Sequence, residues 1–229
     1  MNLQGLQKLT LLDFPGKTAC TLFTGGCNLR CPFCHNAPLI APANSGVIDE
    51  TEFFVFLSTR KGKLDGVAIT GGEPLVQPDI ADFIKKIRAL GFLVKLDTNG
   101  FYPNRFKSLL DEHLLDYVAM DLKNSDGKYA ATCGRPGLDL TPMKRSVRLL
   151  MESGIDYEFR TTVMREFHTP ADIEAIAKGI AGAPRYYLQQ FKDSGILNEG
   201  SCSAHDEETL FAMRDRAKKY IPTVEIRGI

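Results

Sequence analysis

Apolar, β-rich runs alternate with amphipathic segments along most of this chain, and no other feature of the sequence restricts its fold as much. Residues 20–24 (CTLFT), 66–70 (GVAIT), 92–97 (FLVKLD), 117–122 (YVAMDL), 157–163 (YEFRTTV), 186–191 (YYLQQF) and 223–229 (TVEIRGI) read as strands, most of them buried and parallel. Helical patterns with start and stop signals lie between them. Thr169 and Pro170 suit an N-cap and first turn ahead of Ile173, Ile176, Ala177 and Ile180, which share one helical face. Ile80, Phe83, Ile84 and Ile87 form a second stripe ending near Gly91, Thr141 and Pro142 open a third helix closed by Gly154, and Asp206 opens the last. The order is βαβα with no repeat, linker or low-complexity tract. It predicts one α/β domain with right-handed crossovers, an open or closed (β/α) barrel ahead of a doubly wound sheet.

In either architecture, chemistry belongs at the carboxyl ends of the strands. The stretch GGCNLRCPFCHN follows the first strand, TGGEP the second, DTNG closes the third, DLK the fourth and LQQF the sixth, so these segments are expected to converge on one mouth. Composition narrows the partners. Lys plus Arg equals Asp plus Glu at 28 each, which removes the long-range attraction that nucleic acid or an anionic membrane needs. The first residues show no basic and apolar leader pattern, and no stretch approaches about eighteen uninterrupted apolar residues, so a cytoplasmic location is expected. In that reducing compartment six cysteines do not read as a disulfide framework, and the clustering of three of them points to metal or redox chemistry.

Cys27, Cys31 and Cys34 suit two kinds of metal centre. A zinc site would need His35 as fourth ligand, but adjacent residues such as Cys34 and His35 rarely both reach one tetrahedral ion. A [4Fe–4S] cluster normally takes four thiolates, so three ligands leave one iron open to substrate or cofactor, and this is the favoured reading. In TGGEP, Gly71 and Gly72 allow a ligand close to the backbone and Glu73 can accept charge-assisted hydrogen bonds from an ammonium group, although the same residues also suit a plain turn. Asp97, Thr98 and Asn99 in KLDTNG either line a site or end a strand and cap a helix. Asp121 and Lys123 lie two apart on an otherwise apolar strand, hence on one face, either as a structural pair or as part of a site.

The cysteine spacing, with Phe33 just before the last thiol, resembles the radical S-adenosylmethionine (SAM) superfamily, and TGGEP resembles that superfamily's SAM amino-group motif. The resemblance implies a partial (β/α)6 barrel, a single radical SAM core domain over residues 1–229 with residues 1–18 leading in, and a [4Fe–4S] cluster held by Cys27, Cys31 and Cys34. The cluster's open iron would chelate the amino and carboxylate groups of SAM, and an electron would split the sulfonium into methionine and a 5′-deoxyadenosyl radical that abstracts hydrogen. A fuller resemblance is to the glycyl-radical-enzyme activating enzymes, through Asp13 to Gly16 (D-x-P-G), a cysteine motif running into CHN, then GGEP, DTNG and DLK.

By that resemblance Asp13 and Lys123 take part in catalysis. Phe33, Asn36, Gly71, Gly72, Glu73, Asp97, Thr98 and Lys123 bind the cofactor, Lys123 through the SAM carboxylate. Asp13, Asp97, Thr98 and Asp121 would border a monovalent cation, and Arg160, Thr162, Gln189 and Lys192 would flank the adenosine end. A histidine is expected near Lys192 in pyruvate formate-lyase activases, so the chain departs from them there. GLQKLTLLDFPGK, YEFRTTV and YLQQF look most like anaerobic ribonucleoside-triphosphate reductase activating proteins, although the small reductase activases have a shorter barrel. Cys20, Cys133 and Cys202 are too few for a further all-thiolate cluster, so the ferredoxin-like insert of some activases is not expected.

The implied partners are a glycyl-radical enzyme as protein substrate and a flavodoxin or ferredoxin as electron donor. The competing readings are an activase of a pyruvate formate-lyase-like enzyme, a small-molecule radical SAM enzyme like the 7-carboxy-7-deazaguanine synthases, and a zinc-stabilised binding module.

Overall fold

A computed structural model describes residues 1–41, 46–193 and 202–229. The fold is α/β. Its strands are β1 (Leu3–Thr10), β2 (Ala19–Thr24), β3 (Gly66–Gly71), β4 (Leu93–Thr98), β5 (Tyr117–Asp121), β6 (Asp156–Val163), β7 (Arg185–Gln190) and β8 (Thr223–Arg227). They form one sheet in chain order with β1 and β8 at its edges, so it is open. β1 pairs with β2 antiparallel, whereas β2–β3, β3–β4, β6–β7 and β7–β8 are parallel.

All seven expected strands are present within one or two residues, the largest difference being β8, which stops at Arg227 where the expected run continues to residue 229. β1, which the strand reading does not include, lies within residues 1–18, the segment expected to lead into the domain. Its register against β2 is irregular between Leu3 and Gly5 and again between Gln7 and Thr10, which breaks the two-residue alternation by which a strand is read.

The helices are α1 (Glu50–Ser58), α2 (Ile80–Ala89), α3 (Pro103–Asp111), α4 (Asp126–Thr132), α5 (Thr141–Glu152), α6 (Pro170–Gly179) and α7 (Glu207–Ala217). α6 begins with a capping box: Thr169 accepts from the Asp172 backbone while the Asp172 carboxylate accepts from the Thr169 backbone. α2 buries the expected Ile80, Phe83, Ile84 and Ile87. Asp206 caps α7 by accepting the Thr209 N–H at 2.8 Å.

The chain divides into two compact units, residues 1–28, 38–119 and 142–156 in the first, residues 29–37, 120–141 and 157–229 in the second. In the first, Phe14, Ala19 and Tyr117 form a buried cluster joined by Leu93. In the second, Phe33, Met164, Phe191 and Cys202 form another, joined by Cys31 and Phe167. Among the described residues no helix is long and apolar enough to cross a membrane.

Candidate active site

In the first unit the exits of β2 and β3 are tied together by backbone. Gly72 N–H donates to Thr24 O at 2.9 Å and Glu73 N–H to Gly26 O at 2.8 Å. Gly71 has φ +118°, and a Cβ there would stand 2.3 Å from Thr24 N; a Cβ on Gly72 would stand 2.2 Å from Gly26 O. Both positions therefore need glycine because the chain's own backbone approaches them. Gln77 Nε2 closes the same turn on Gly25 O at 2.6 Å.

Glu73 is 1% exposed. Its carboxylate accepts from Leu75 N–H at 3.0 Å, Thr98 Oγ1 at 2.7 Å and Asn99 N–H at 2.6 Å. A buried carboxylate held by three donors fastens the end of β3 to the end of β4. Asn99 in turn donates its amide to Asn28 Oδ1 at 2.9 Å and reaches Cys27 Sγ at 3.9 Å. Two residues upstream, Lys95 pairs with Asp97. Asp13 accepts the Thr21 hydroxyl.

The second unit holds the other two cysteines of the motif. Arg30 N–H donates to Cys133 O at 3.0 Å, and a Cβ on Gly134, whose φ is +62°, would lie 2.3 Å from Arg30 O. The C-terminal end of α4 is thus a backbone dock for the cysteine loop, available only because residue 134 is glycine. Within the loop Cys34 N–H donates to Cys31 O at 3.2 Å. The Cys133 thiol, donating to Cys31, lowers the Cys31 thiol to about 7 against the opposing effect of burial, helped by the Lys123 ammonium. Burial raises Cys34. Phe33, expected at the cofactor, has its ring buried among Met164, Phe191 and Cys202 and 6.1 Å from that of Phe167. The Asn36 backbone N–H supports the Cys34 sulfur.

Asp121 ends β5 and Lys123 lies just beyond it, with Lys123 Nζ 3.0 Å and Arg160 Nε 2.9 Å from the Asp121 carboxylate. Burial works against each of these charges, yet the Arg160 and Lys123 cations hold Asp121 well below the usual carboxylate range, and the Asp121 carboxylate pushes Lys123 up. The group carries two positive charges and one negative. His168 supports it from below: Nε2 lies 2.8 Å from the Lys123 carbonyl and Nδ1 3.4 Å from Met164 N–H, so the neutral ring donates at Nε2 and accepts at Nδ1. Arg160 and Thr162 alternate along β6, and Thr162 is in register with Gln189 on β7, which sets the three on one face. Lys192 stands beyond the end of β7 and is exposed.

Sequence reasoning missed Lys95, Gly134 and His168. Lys95 had a signal, since Lys-x-Asp at 95–97 repeats the spacing of Asp-x-Lys at 121–123. Gly134 and His168 act through partners distant in sequence. Among the described residues no three His, Cys, Asp or Glu side chains are gathered as a metal cage. The three half-buried thiols, Cys31 among them with a thiolate favoured near neutral pH, nonetheless have the donor chemistry of an iron–sulfur centre.

The family model described as the radical SAM superfamily matches residues 21–180, and the chain belongs to that superfamily. It is an enzyme of radical SAM chemistry, and its cofactors are those of the superfamily, a [4Fe–4S] cluster and SAM. A Methanocaldococcus jannaschii protein, named provisionally as a glycyl-radical enzyme activating enzyme, is 32% identical to it over 98% of this chain and 95% of its own. The 7-carboxy-7-deazaguanine synthase of Methanopyrus kandleri is 34% identical over 54% of each chain. The crystal structure of Streptococcus suis SuiB bound to SAM shares the fold, with a TM-score of 0.69 and 16% identity over 89% of this chain and 48% of that one.

Proposed function

We propose that this enzyme is an activase: it cleaves SAM reductively and removes a hydrogen atom from a glycine of a partner glycyl-radical enzyme, with anaerobic ribonucleoside-triphosphate reductase the first partner to test. The observation that carries this reading is the similarity to the activating enzyme of M. jannaschii along nearly the whole of both chains, whereas the similarity to the deazaguanine synthase is confined to about half. When bound, the [4Fe–4S] cluster and SAM supply the electron and the hydrogen-abstracting group.

The chain's own residues do the rest. Cys27, Cys31 and Cys34 hold the cluster through their thiolates. The net positive charge of Asp121, Lys123 and Arg160 suits the carboxylate of an amino-acid moiety such as that of SAM, with Lys123 the donor. Gly71, Gly72 and Glu73 shape the edge that meets the SAM amino group, together with Asp97 and Thr98. Phe33 and Asn36 steady the cysteine loop. Arg160, Thr162 and Gln189 offer one polar face for the adenosine, with Lys192 beyond it. Asp13 belongs to the same machinery through Thr21. The partner's loop enters at the carboxyl ends of the strands, and a flavodoxin or ferredoxin in the cytoplasm donates the electron.

The test mixes the reduced, SAM-loaded protein anaerobically with the reductase. A persistent glycine-centred doublet in electron paramagnetic resonance, with 5′-deoxyadenosine formed in step, is the expected result. SAM cleavage stimulated by a small metabolite, with no doublet from any glycyl-radical enzyme, would transfer the chain to small-molecule chemistry. Cys31→Ala should abolish the cluster, while Cys20→Ala and Cys202→Ala should keep it.

A further inference from the structure

The monovalent cation implied by resemblance does not fit the residues present. Every side chain expected to border it is already engaged by the chain itself. Asp97 is paired with the Lys95 ammonium. Asp121 takes both Lys123 and Arg160. Asp13 accepts the Thr21 hydroxyl, and Thr98 Oγ1 donates to Glu73 at 2.7 Å while accepting Gly100 N–H at 3.1 Å.

Lys95 is the residue that makes the difference. Its side chain is 2% exposed, in a strand whose neighbours Val94 and Leu96 are fully buried, and a lysine so placed is tolerated only where its charge is matched. Lys95 and Asp97 lie two apart on β4 and so project to one face. The Lys95 ammonium also lies 6.0 Å from the centroid of the Tyr117 ring, within reach of a cation–π attraction. Across the sheet, Thr21 on β2 is in register with Ala68 on β3 and Ala68 with Lys95 on β4, so the hydroxyl that binds Asp13 is on the same face as the ammonium. The small Ala68 between them leaves room for both side chains. An ammonium there supplies to an acidic face the positive charge that a bound potassium or sodium ion would give, directed through its N–H donors.

We propose that Lys95 is the resident cation of this site, and that this enzyme binds SAM with no requirement for a monovalent metal ion. The proposal rests on the reading of Asp97 as part of the SAM site. Its test therefore has one arm that does not involve SAM.

In that arm the thermal midpoint of the cluster-free protein is measured in potassium, sodium and choline chloride at equal ionic strength. In the second, SAM affinity of the reconstituted protein is measured by calorimetry in the same salts. The wild type should be indifferent to the salt in both arms. Lys95→Met should show a lower midpoint and roughly tenfold weaker SAM binding in choline, and potassium or sodium should restore most of each, because the half-buried Asp97 then recruits the ion in place of the lost ammonium. A wild type whose midpoint or SAM affinity needs potassium or sodium would overturn the proposal. So would a Lys95→Met protein equally impaired in all three salts, since that is the behaviour of a merely structural lysine. If Lys95→Met fails to fold, the wild-type arms still decide. Absence of SAM binding in every salt would count against the SAM site, leaving the midpoint arm to judge Lys95.

Discussion

A lysine and an aspartate stand two residues apart on β4 and again at the end of β5, and the two pairs end up with different charges around them. Lys95 and Asp97 on β4 form a neutral pair, the lysine buried and the aspartate half-buried. Asp121 at the end of β5 meets Lys123 and, from β6, Arg160, so these three groups together sum to one positive charge. A lysine and an aspartate cancel in charge, whereas two cations beside one carboxylate favour the approach of an added anion. The same local pattern has become a filled site in one place and a receptive one in the other, and the third residue decides which.

The largest effect should come from removing that surplus. Lys123→Met leaves Asp121 balanced by Arg160 alone, and SAM affinity should fall by about a hundredfold, the upper range for one charge-assisted bond. Titration calorimetry on the reconstituted protein checks it; wild-type affinity in Lys123→Met would mean that the excess charge serves something other than the SAM carboxylate. Glu73→Gln probes the closed side. The amide keeps the shape but faces Leu75 N–H, Thr98 Oγ1 and Asn99 N–H with one acceptor oxygen and an NH2 group, so at least one buried donor loses its partner. Unfolding by denaturant should show a loss of roughly 2–3 kcal/mol even without cofactors. An unchanged midpoint would return Glu73 to a purely ligand-binding role.

How much of this was readable follows the range of each interaction. β2 to β5 are largely apolar runs, and burial on both faces writes itself into sequence as near-continuous hydrophobicity. β1 mixes glutamine, lysine and glycine with its leucines and pairs irregularly, so its strand character depends on β2. The thiols at 27, 31 and 34 and the glycines at 71 and 72 are legible because their chemistry is local and their spacing rare. Gly134 is not, because the sequence TCGRPG reads as a helix stop, and only the fold shows that Arg30 O leaves no room for a side chain there. Lys95 hides in a run that otherwise reads as buried strand. Glu73 shows the converse case, a residue whose position is legible while its two donors at the end of β4, Thr98 and Asn99, are not.

His168 gives a milder test of the receptive side, through the carbonyl of Lys123. Burial pulls its imidazole down from the usual 6.5 to about 4. The unfolded chain therefore takes up the proton first as pH falls. Above about pH 6.5 the residue costs nothing, and stability declines as pH drops from there toward 4, by about 2 kcal/mol between pH 7 and pH 5. Denaturant unfolding of the wild type and of His168→Gln at both pH values checks it; the variant should lose that part of the pH dependence, and an equal slope in the two proteins would assign the acid sensitivity elsewhere.

The smallest effect is expected at Asp13, on the closed side of the comparison. Its carboxylate accepts the hydroxyl of Thr21, whose row across the sheet leads through Ala68 to Lys95. If Lys95 is neutralised by Asp97 alone, Asp13→Asn removes a charge that the ammonium does not depend on, and the amide oxygen still accepts from Thr21. Stability should then change by about 1 kcal/mol or less and SAM affinity by no more than about threefold. If the ammonium is shared between the two carboxylates, the loss should approach that of Lys95→Met and should not be relieved by potassium, because a site that has lost an anion attracts no further cation. Measuring Asp13→Asn in potassium and in choline beside Lys95→Met thus separates a closed pair from a shared one: salt-independent and small for the pair, salt-independent and large for the shared ammonium.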